Sequence, residues 1–141
     1  MNGLASGVGL AVLMAAGAFA ADNETRAKLA GSWQSSEAGE WVLTDKGNAF
    51  QITHTQNNQK LATFDCNTNG RECEMKDSGK PVKISMWFNG AKLVVMETRG
   101  DDIVKHRFHA VGDNEMEVEL VPIAPTGKTE VQRLHRAATA Q

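Results

Sequence analysis

Apolar and polar positions alternate with a period of two along most of the chain. Phe50, Ile52 and His54 share one side of a run whose other side carries Ala49, Gln51 and Thr53. Val82, Ile84, Met86 and Phe88 alternate with Lys83, Ser85 and Trp87, and Met116, Val118 and Leu120 alternate with Glu115, Glu117 and Glu119. Successive side chains of a strand point to opposite faces, so this pattern predicts half-buried β-strands. Turn signals separate the runs: Asp45-Lys-Gly47, Gln56-Asn-Asn-Gln59, Asn69-Gly70, Asp77-Ser-Gly79, Asn89-Gly90, Arg99-Gly-Asp-Asp102, Gly112-Asp-Asn114 and Pro125-Thr-Gly127. Strands are expected near residues 31–36, 40–45, 48–56, 60–67, 72–77, 81–88, 91–98, 102–110, 115–121 and 128–136. Ahead of them, Asp22 to Ala30 reads as a short helix with an acidic start, ended by Gly31. No later stretch has a helical period long enough to cover a sheet. A meander with one apolar face and no covering helix must close on itself. The expected fold is therefore all-β: an antiparallel up-and-down barrel of eight to ten strands over residues 31–136, a helical segment at 21–30 and a disordered tail at 137–141.

Two-residue loops set the expected register. With Asn89-Gly90 as a loop, 88 opposes 91, 86 opposes 93, 84 opposes 95 and 82 opposes 97, so Ile84, Met86, Leu93 and Val95 face one way and Glu97 faces with them. Asn-Gly also supplies the two positive-φ residues of a type I′ turn. Placed at Asn69-Gly70, that turn opposes Cys66 with Cys73 and Phe64 with Met75. On the segment 102–110, Val104, His106 and Phe108 share a face, and Lys105, Arg107 and His109 take the other. The apolar members mark the inside. The candidate lining is thus Phe50, Ile52, His54, Phe64, Met75, Ile84, Met86, Phe88, Leu93, Val95, Glu97, His106, Phe108, Met116, Val118 and Leu120. Rich in phenylalanine and methionine, it fits either a filled core or an adaptable pocket, because a small barrel is just wide enough for one or the other.

Directly opposed cysteines suit a disulfide. Closing the loop between Cys66 and Cys73 stabilises by about 2.5 kcal/mol if chain entropy dominates. C-x6-C matches neither the redox nor the zinc spacings. An oxidising compartment is consistent with the first residues of the chain. Residues 1–20 carry no charge, Leu10-Ala-Val-Leu-Met14 forms an apolar centre, and Ala18-Phe19-Ala20 is an A-x-A cleavage site followed at once by Asp22. Glycines and Ser6 interrupt the run, which is too broken for a membrane anchor. The expectation is a signal peptide cleaved near Ala20, export to the periplasm or medium, and no transmembrane segment in the mature chain.

The chain has 141 residues, enough for one domain. Fifteen Lys+Arg against seventeen Asp+Glu, without a basic run, exclude a nucleic-acid or polybasic membrane footprint. No nucleophile motif, phosphate-binding glycine loop or calcium loop occurs, and no cofactor is expected. One constellation remains for chemistry: His54, Glu97 and His106, all on the inward face. They are the residue types of a zinc site or a general acid–base pair. They come from three separate strands, and inward polar residues near a barrel rim are common without chemistry. The reading assigns no metal ligand and no catalytic residue.

Several short motifs carry a resemblance. Gly31-Ser32-Trp33 opens the first strand after a short helix, and the last strand ends Arg133-Leu-His-Arg136. Between them stand Trp87-Phe-Asn-Gly-Ala-Lys-Leu-Val-Val-Met-Glu-Thr98 and His106-Arg-Phe108. Across most of residues 29–136 the chain resembles the calycin or lipocalin-like pattern, and more closely the small exported lipocalin-like proteins of bacteria. The resemblance implies that Gly31 and Trp33 are structural and that Arg133 or Arg136 covers the Trp33 indole by cation–π contact. It also implies a barrel whose interior holds a small apolar molecule. Two other classes stay open. One is a periplasmic protein-interaction module such as a barrel-type protease inhibitor, whose members share the G-x-W start and a single disulfide. The other is a small hydratase or isomerase, which requires His54, Glu97 and His106 to meet in one wet pocket.

Overall fold

A computed structural model describes residues 22–137; the expected signal segment 1–20 and positions 138–141 of the expected tail lie outside the described residues. Residues 22–29 form a helix, α1. Ten strands follow: β1 Gly31–Ser35, β2 Gly39–Asp45, β3 Ala49–Gln56, β4 Gln59–Asn67, β5 Cys73–Asp77, β6 Lys80–Asn89, β7 Lys92–Arg99, β8 Asp102–Ala110, β9 Glu115–Ala124 and β10 Glu130–Arg136. All belong to one antiparallel sheet in the order β4-β3-β2-β1-β10-β9-β8-β7-β6-β5. Every strand pairs with its neighbour in sequence except β4 with β5, and β1 pairs with β10. The result is an all-β, nearly closed barrel with one short N-terminal helix. Its one seam lies between β4 and β5, the two ends of that order.

The seam corrects one expectation. Asn69-Gly70 does not join β4 to β5 as a paired hairpin. Gly70 has positive φ, but Asn69 does not. The Asn69 Oδ1 instead accepts from the Arg71 amide at 3.0 Å, and the Gly70 amide donates across to Met86 O on β6 at 2.8 Å. An asparagine side chain that bonds the backbone two residues on competes directly with a hairpin turn. Phe64 and Met75 are therefore not ladder partners. Cys66 and Cys73 are nonetheless bonded, with Cα atoms 5.8 Å apart, and the disulfide staples one end of the seam.

A second register shifts without changing face. Phe88 pairs with Leu93, Met86 with Val95 and Ile84 with Glu97, so the β6–β7 loop is Gly90-Ala91 rather than Asn89-Gly90. Gly90 alone has positive φ there, as a type II′ turn with leading glycine requires. Moving the turn by one residue moves every pair by two. Parity survives, and Ile84, Met86, Leu93 and Val95 still point inward. The type I′ turns are Asn57-Asn58 and Ser78-Gly79, where both loop residues have positive φ.

The inward faces form one core: Trp33, Trp41, Leu43, Phe50, Ile52, Phe64, Ile84, Met86, Leu93, Val95, Phe108, Met116, Val118 and Leu134 are all buried. Helix α1 covers one end of the barrel. Its Leu29 is buried in the core, and Leu29 O accepts from Trp33 Nε1 at 2.9 Å. The Arg26 guanidinium lies 5.4 and 5.0 Å from the Phe50 and Phe88 ring centres, pairs with Asp45 at 3.0 Å and donates to Thr68. These contacts fix α1 over the connections β2–β3, β4–β5 and β6–β7.

Arg136 stands directly opposite Trp33 in the β1–β10 ladder, with its guanidinium 4.1 Å over the indole. It donates to Ala30 O, Lys28 O and Asp113 O, tying α1 and the β8–β9 turn to the strand that closes the barrel. Gly31 makes room for it: φ there is +133°, and a Cβ would come 2.6 Å from Arg136 Nη1. Arg133, the other arginine offered for this role, points outward and pairs with Glu117 at 3.3 Å.

Candidate ligand site at the open end of the barrel

The end opposite α1 carries the connections β1–β2, β3–β4, β5–β6, β7–β8 and β9–β10. The β1–β2 turn, residues 36–38, is held against β3. His54 Nε2 lies 2.6 Å from Ala38 O, which can only accept, so Nε2 carries the proton; Gln56 Nε2 donates to Glu37 O at 2.7 Å. The His54 ring stacks on Trp41, with centroids 3.9 Å apart and planes within 5°. Trp41 Nε1 donates to Gln132 Oε1 at 3.0 Å. His106 lies among Trp41, Phe64 and Phe108, at centroid distances of 6.1, 5.2 and 6.3 Å.

His106 is buried, and its Nδ1 has no hydrogen-bond partner. Burial, with a smaller contribution from the positive charge that His54 would carry, pushes its pKa down to about 4; an interaction with the Val95 backbone offsets part of this. At neutral pH the ring is uncharged.

The three polar candidates do not converge. His54 and His106 share the Trp41 cluster, whereas Glu97 accepts from Arg99 Nε, and Arg99 Nη1 reaches Asp77 Oδ2 at 2.6 Å. Among the described residues no group of three or more His, Cys, Asp or Glu is placed to hold a metal ion.

The apolar candidates divide by height. Phe50, Phe88, Leu93 and Phe108 lie toward α1; Ile52, Phe64, Ile84, Met86 and Val95 lie deeper in the barrel, packed in the same core. Trp41 and Leu43, which sequence reasoning does not single out, belong there too. In the run Trp41-Val42-Leu43 an apolar residue also occupies the outward position, and the period-two signal is lost.

The barrel wall opens at the seam. A cleft of about 240 Å3 lies between β4 and β5, lined by Lys60, Leu61, Ala62, Thr63, Met75, Lys76, Asp77, Val82 and Arg99. Ala62 pairs with inward His54 and Met75 pairs with buried Val82, so these three apolar side chains belong to the interior face. The β3–β4 register slips at this point: His54 faces Ala62 and Thr55 faces Lys60, leaving Leu61 as the extra residue of a bulge. A bulge bends an edge strand and re-aims its side chains, and Leu61 is left exposed at the cleft.

No family model matches the chain, and no curated protein matches its sequence. Solved structures match its fold. A secretory abundant heat soluble protein from Ramazzottius varieornatus superposes with TM-score 0.62 at 12% identity, covering 79% of this chain and 96% of that one. Secretory abundant heat soluble protein 4 of the same organism gives 0.61 at 11% identity over the same shares. A fatty acid-binding protein from brain tissue of Drosophila melanogaster gives 0.52 at 20% identity, covering 70% of this chain and 71% of that one. At these identities the likeness is one of fold: a calycin-type β-barrel.

Proposed function

We propose that the protein is an exported calycin-type binding protein for a small, largely apolar molecule, akin to the small exported lipocalin-like proteins of bacteria. The observation that carries this reading is the seam cleft, where interior apolar side chains meet solvent through a gap in an otherwise paired wall. A site for a small molecule needs a concave, mainly apolar surface with a few polar groups at its mouth. Here Ala62, Met75 and Val82 form an apolar floor, and Lys60, Asp77 and Arg99 supply the polar groups at the mouth. The fatty acid-binding protein among the structural matches supports the reading by analogy of fold. The enzyme reading loses its basis where Glu97 turns to Arg99.

The test is a titration with an apolar fluorescent probe. Wild type should bind it, and Ala62→Phe, which fills the cleft from its floor, should weaken binding at least about tenfold while circular dichroism stays unchanged. A well-folded wild type that takes up no probe would overturn the carrier reading and leave the protein-interaction module.

Export is part of the same proposal, supported by the A-x-A site and by the Cys66–Cys73 disulfide. Intact-mass measurement of the exported protein should give an N-terminus at Ala21 and a gain of two hydrogens on reduction. A chain still beginning at Met1 in that fraction would refute it.

A further inference from the structure

Asn-Gly occurs twice among the described residues, at Asn69-Gly70 and at Asn89-Gly90, both at the α1 end of the barrel. Such a pair carries its own covalent chemistry. The glycine amide nitrogen can attack the asparagine Cγ, because the residue that follows has no Cβ to stand in the way. A C–N bond forms, the side-chain amide leaves as ammonia, and a five-membered succinimide remains. Water then opens that ring at one carbonyl or the other, giving aspartate or an isoaspartyl link. The only co-reactant is water.

Exposure does not separate the two pairs, since all four residues are exposed. Hydrogen bonding does. At Asn69 both reacting groups are engaged. The Asn69 Oδ1 accepts from the Arg71 amide at 3.0 Å, and the Gly70 amide, which would be the nucleophile, donates to Met86 O at 2.8 Å. The Cys66–Cys73 disulfide closes the same short loop and limits how far it swings. At Asn89 the backbone is paired with Lys92, but the side chain and the Gly90 amide have no partner among the described residues.

We infer that Asn89 is a site of spontaneous deamidation in the folded protein, and that the fold shields Asn69 from the same reaction. The product changes two things at position 89. A carboxylate there stands directly opposite Lys92, whose ammonium otherwise pairs with Glu119. An isoaspartyl link adds one backbone atom beside a two-residue turn, and Gly90 and Ala91 of that turn share a hollow with Thr25, Lys28 and Leu29 of α1. The deamidated chain therefore seats α1 less firmly.

The experiment incubates the full mature chain in mildly alkaline buffer, folded in one arm and in the other reduced and unfolded in urea. Each Asn-Gly peptide is followed by mass after digestion, because exchange of an amide for a carboxyl raises the mass by one unit. In the folded chain Asn89 should convert at least about tenfold faster than Asn69, the scale of the two hydrogen bonds that must first break at Asn69. In urea the two rates should come together. Asn89→Gln, whose longer side chain does not close the five-membered ring, should show no conversion at position 89, with circular dichroism unchanged. The deamidated fraction, separated by charge, should unfold at a lower urea concentration than the unmodified chain. Comparable rates in the folded chain, or faster conversion at Asn69, would overturn the inference. So would a folded Asn89 that stays intact while the unfolded chain reacts, or a difference that persists in urea and therefore owes nothing to the fold. An unchanged urea midpoint would overturn the effect on α1.

Discussion

Phe64→Ala is expected to cost about 3–5 kcal/mol and Val95→Ala about 2 kcal/mol, whereas Glu117→Ala should stay within about 0.5 kcal/mol. Phe64 and Val95 are buried on inward faces of strands on either side of the seam, β4 and β7, packed into the same cluster. Truncating either removes apolar area that folding takes from water and leaves a cavity that the rigid wall closes only in part. Glu117 lies on the outward face of β9 and pairs with exposed Arg133, the kind of ion pair that contributes little. Urea denaturation of the three variants decides the matter, read as a shift of midpoint at constant m-value. Equal small shifts at all three positions would mean that the inner and outer faces are assigned the wrong way round.

That assignment was legible in the sequence because it depends on parity alone. Ile84, Met86, Leu93 and Val95 are read inward whether the turn is centred at Asn89-Gly90 or at Gly90-Ala91. Strand number and order are legible for a related reason: a chain of short alternating runs joined by tight turns has few ways to pair other than in sequence. The seam is not legible, because it depends on distant choices. Asn69-Gly70 is a strong local hairpin signal, and it yields to an asparagine side chain on Arg71 N and to a bond from Gly70 to Met86 on a strand far along the chain. The candidate site suffers most. Lys60, Ala62 and Arg99 belong together only because β4 and β5 part company, and Leu61 reaches the cleft through a bulge that no pattern of alternation announces. Trp41 is hidden by its apolar neighbour Val42. His54 and His106 are read inward correctly, but only the packing shows that a tryptophan, and not Glu97, is what they meet.

Acidification should destabilise the protein between pH 6.5 and about 4, and His106 should account for much of the loss. Burial among Trp41, Phe64 and Phe108 lowers its pKa from 6.5 to about 4, so in this window the unfolded chain binds a proton at position 106 that the folded chain refuses. Stability then rises with pH across the window: the contribution is fully present above the unfolded pKa and is lost as pH falls through the folded one. A shift of this size corresponds to a loss on the order of 3 kcal/mol. That is a large share of the stability of a domain this small. Carboxylates contribute at the lower end of the same range, and substitution separates them. His106→Phe keeps an aromatic ring in the cluster and removes both the titration and the orphaned Nδ1. Its urea midpoint should therefore fall less than that of wild type between pH 7 and pH 4.5. His109→Phe, on the outward face of the same strand, should track wild type. Parallel curves for wild type and His106→Phe would show that position 106 does not refuse the proton, and that the aromatic cluster opens to water in solution.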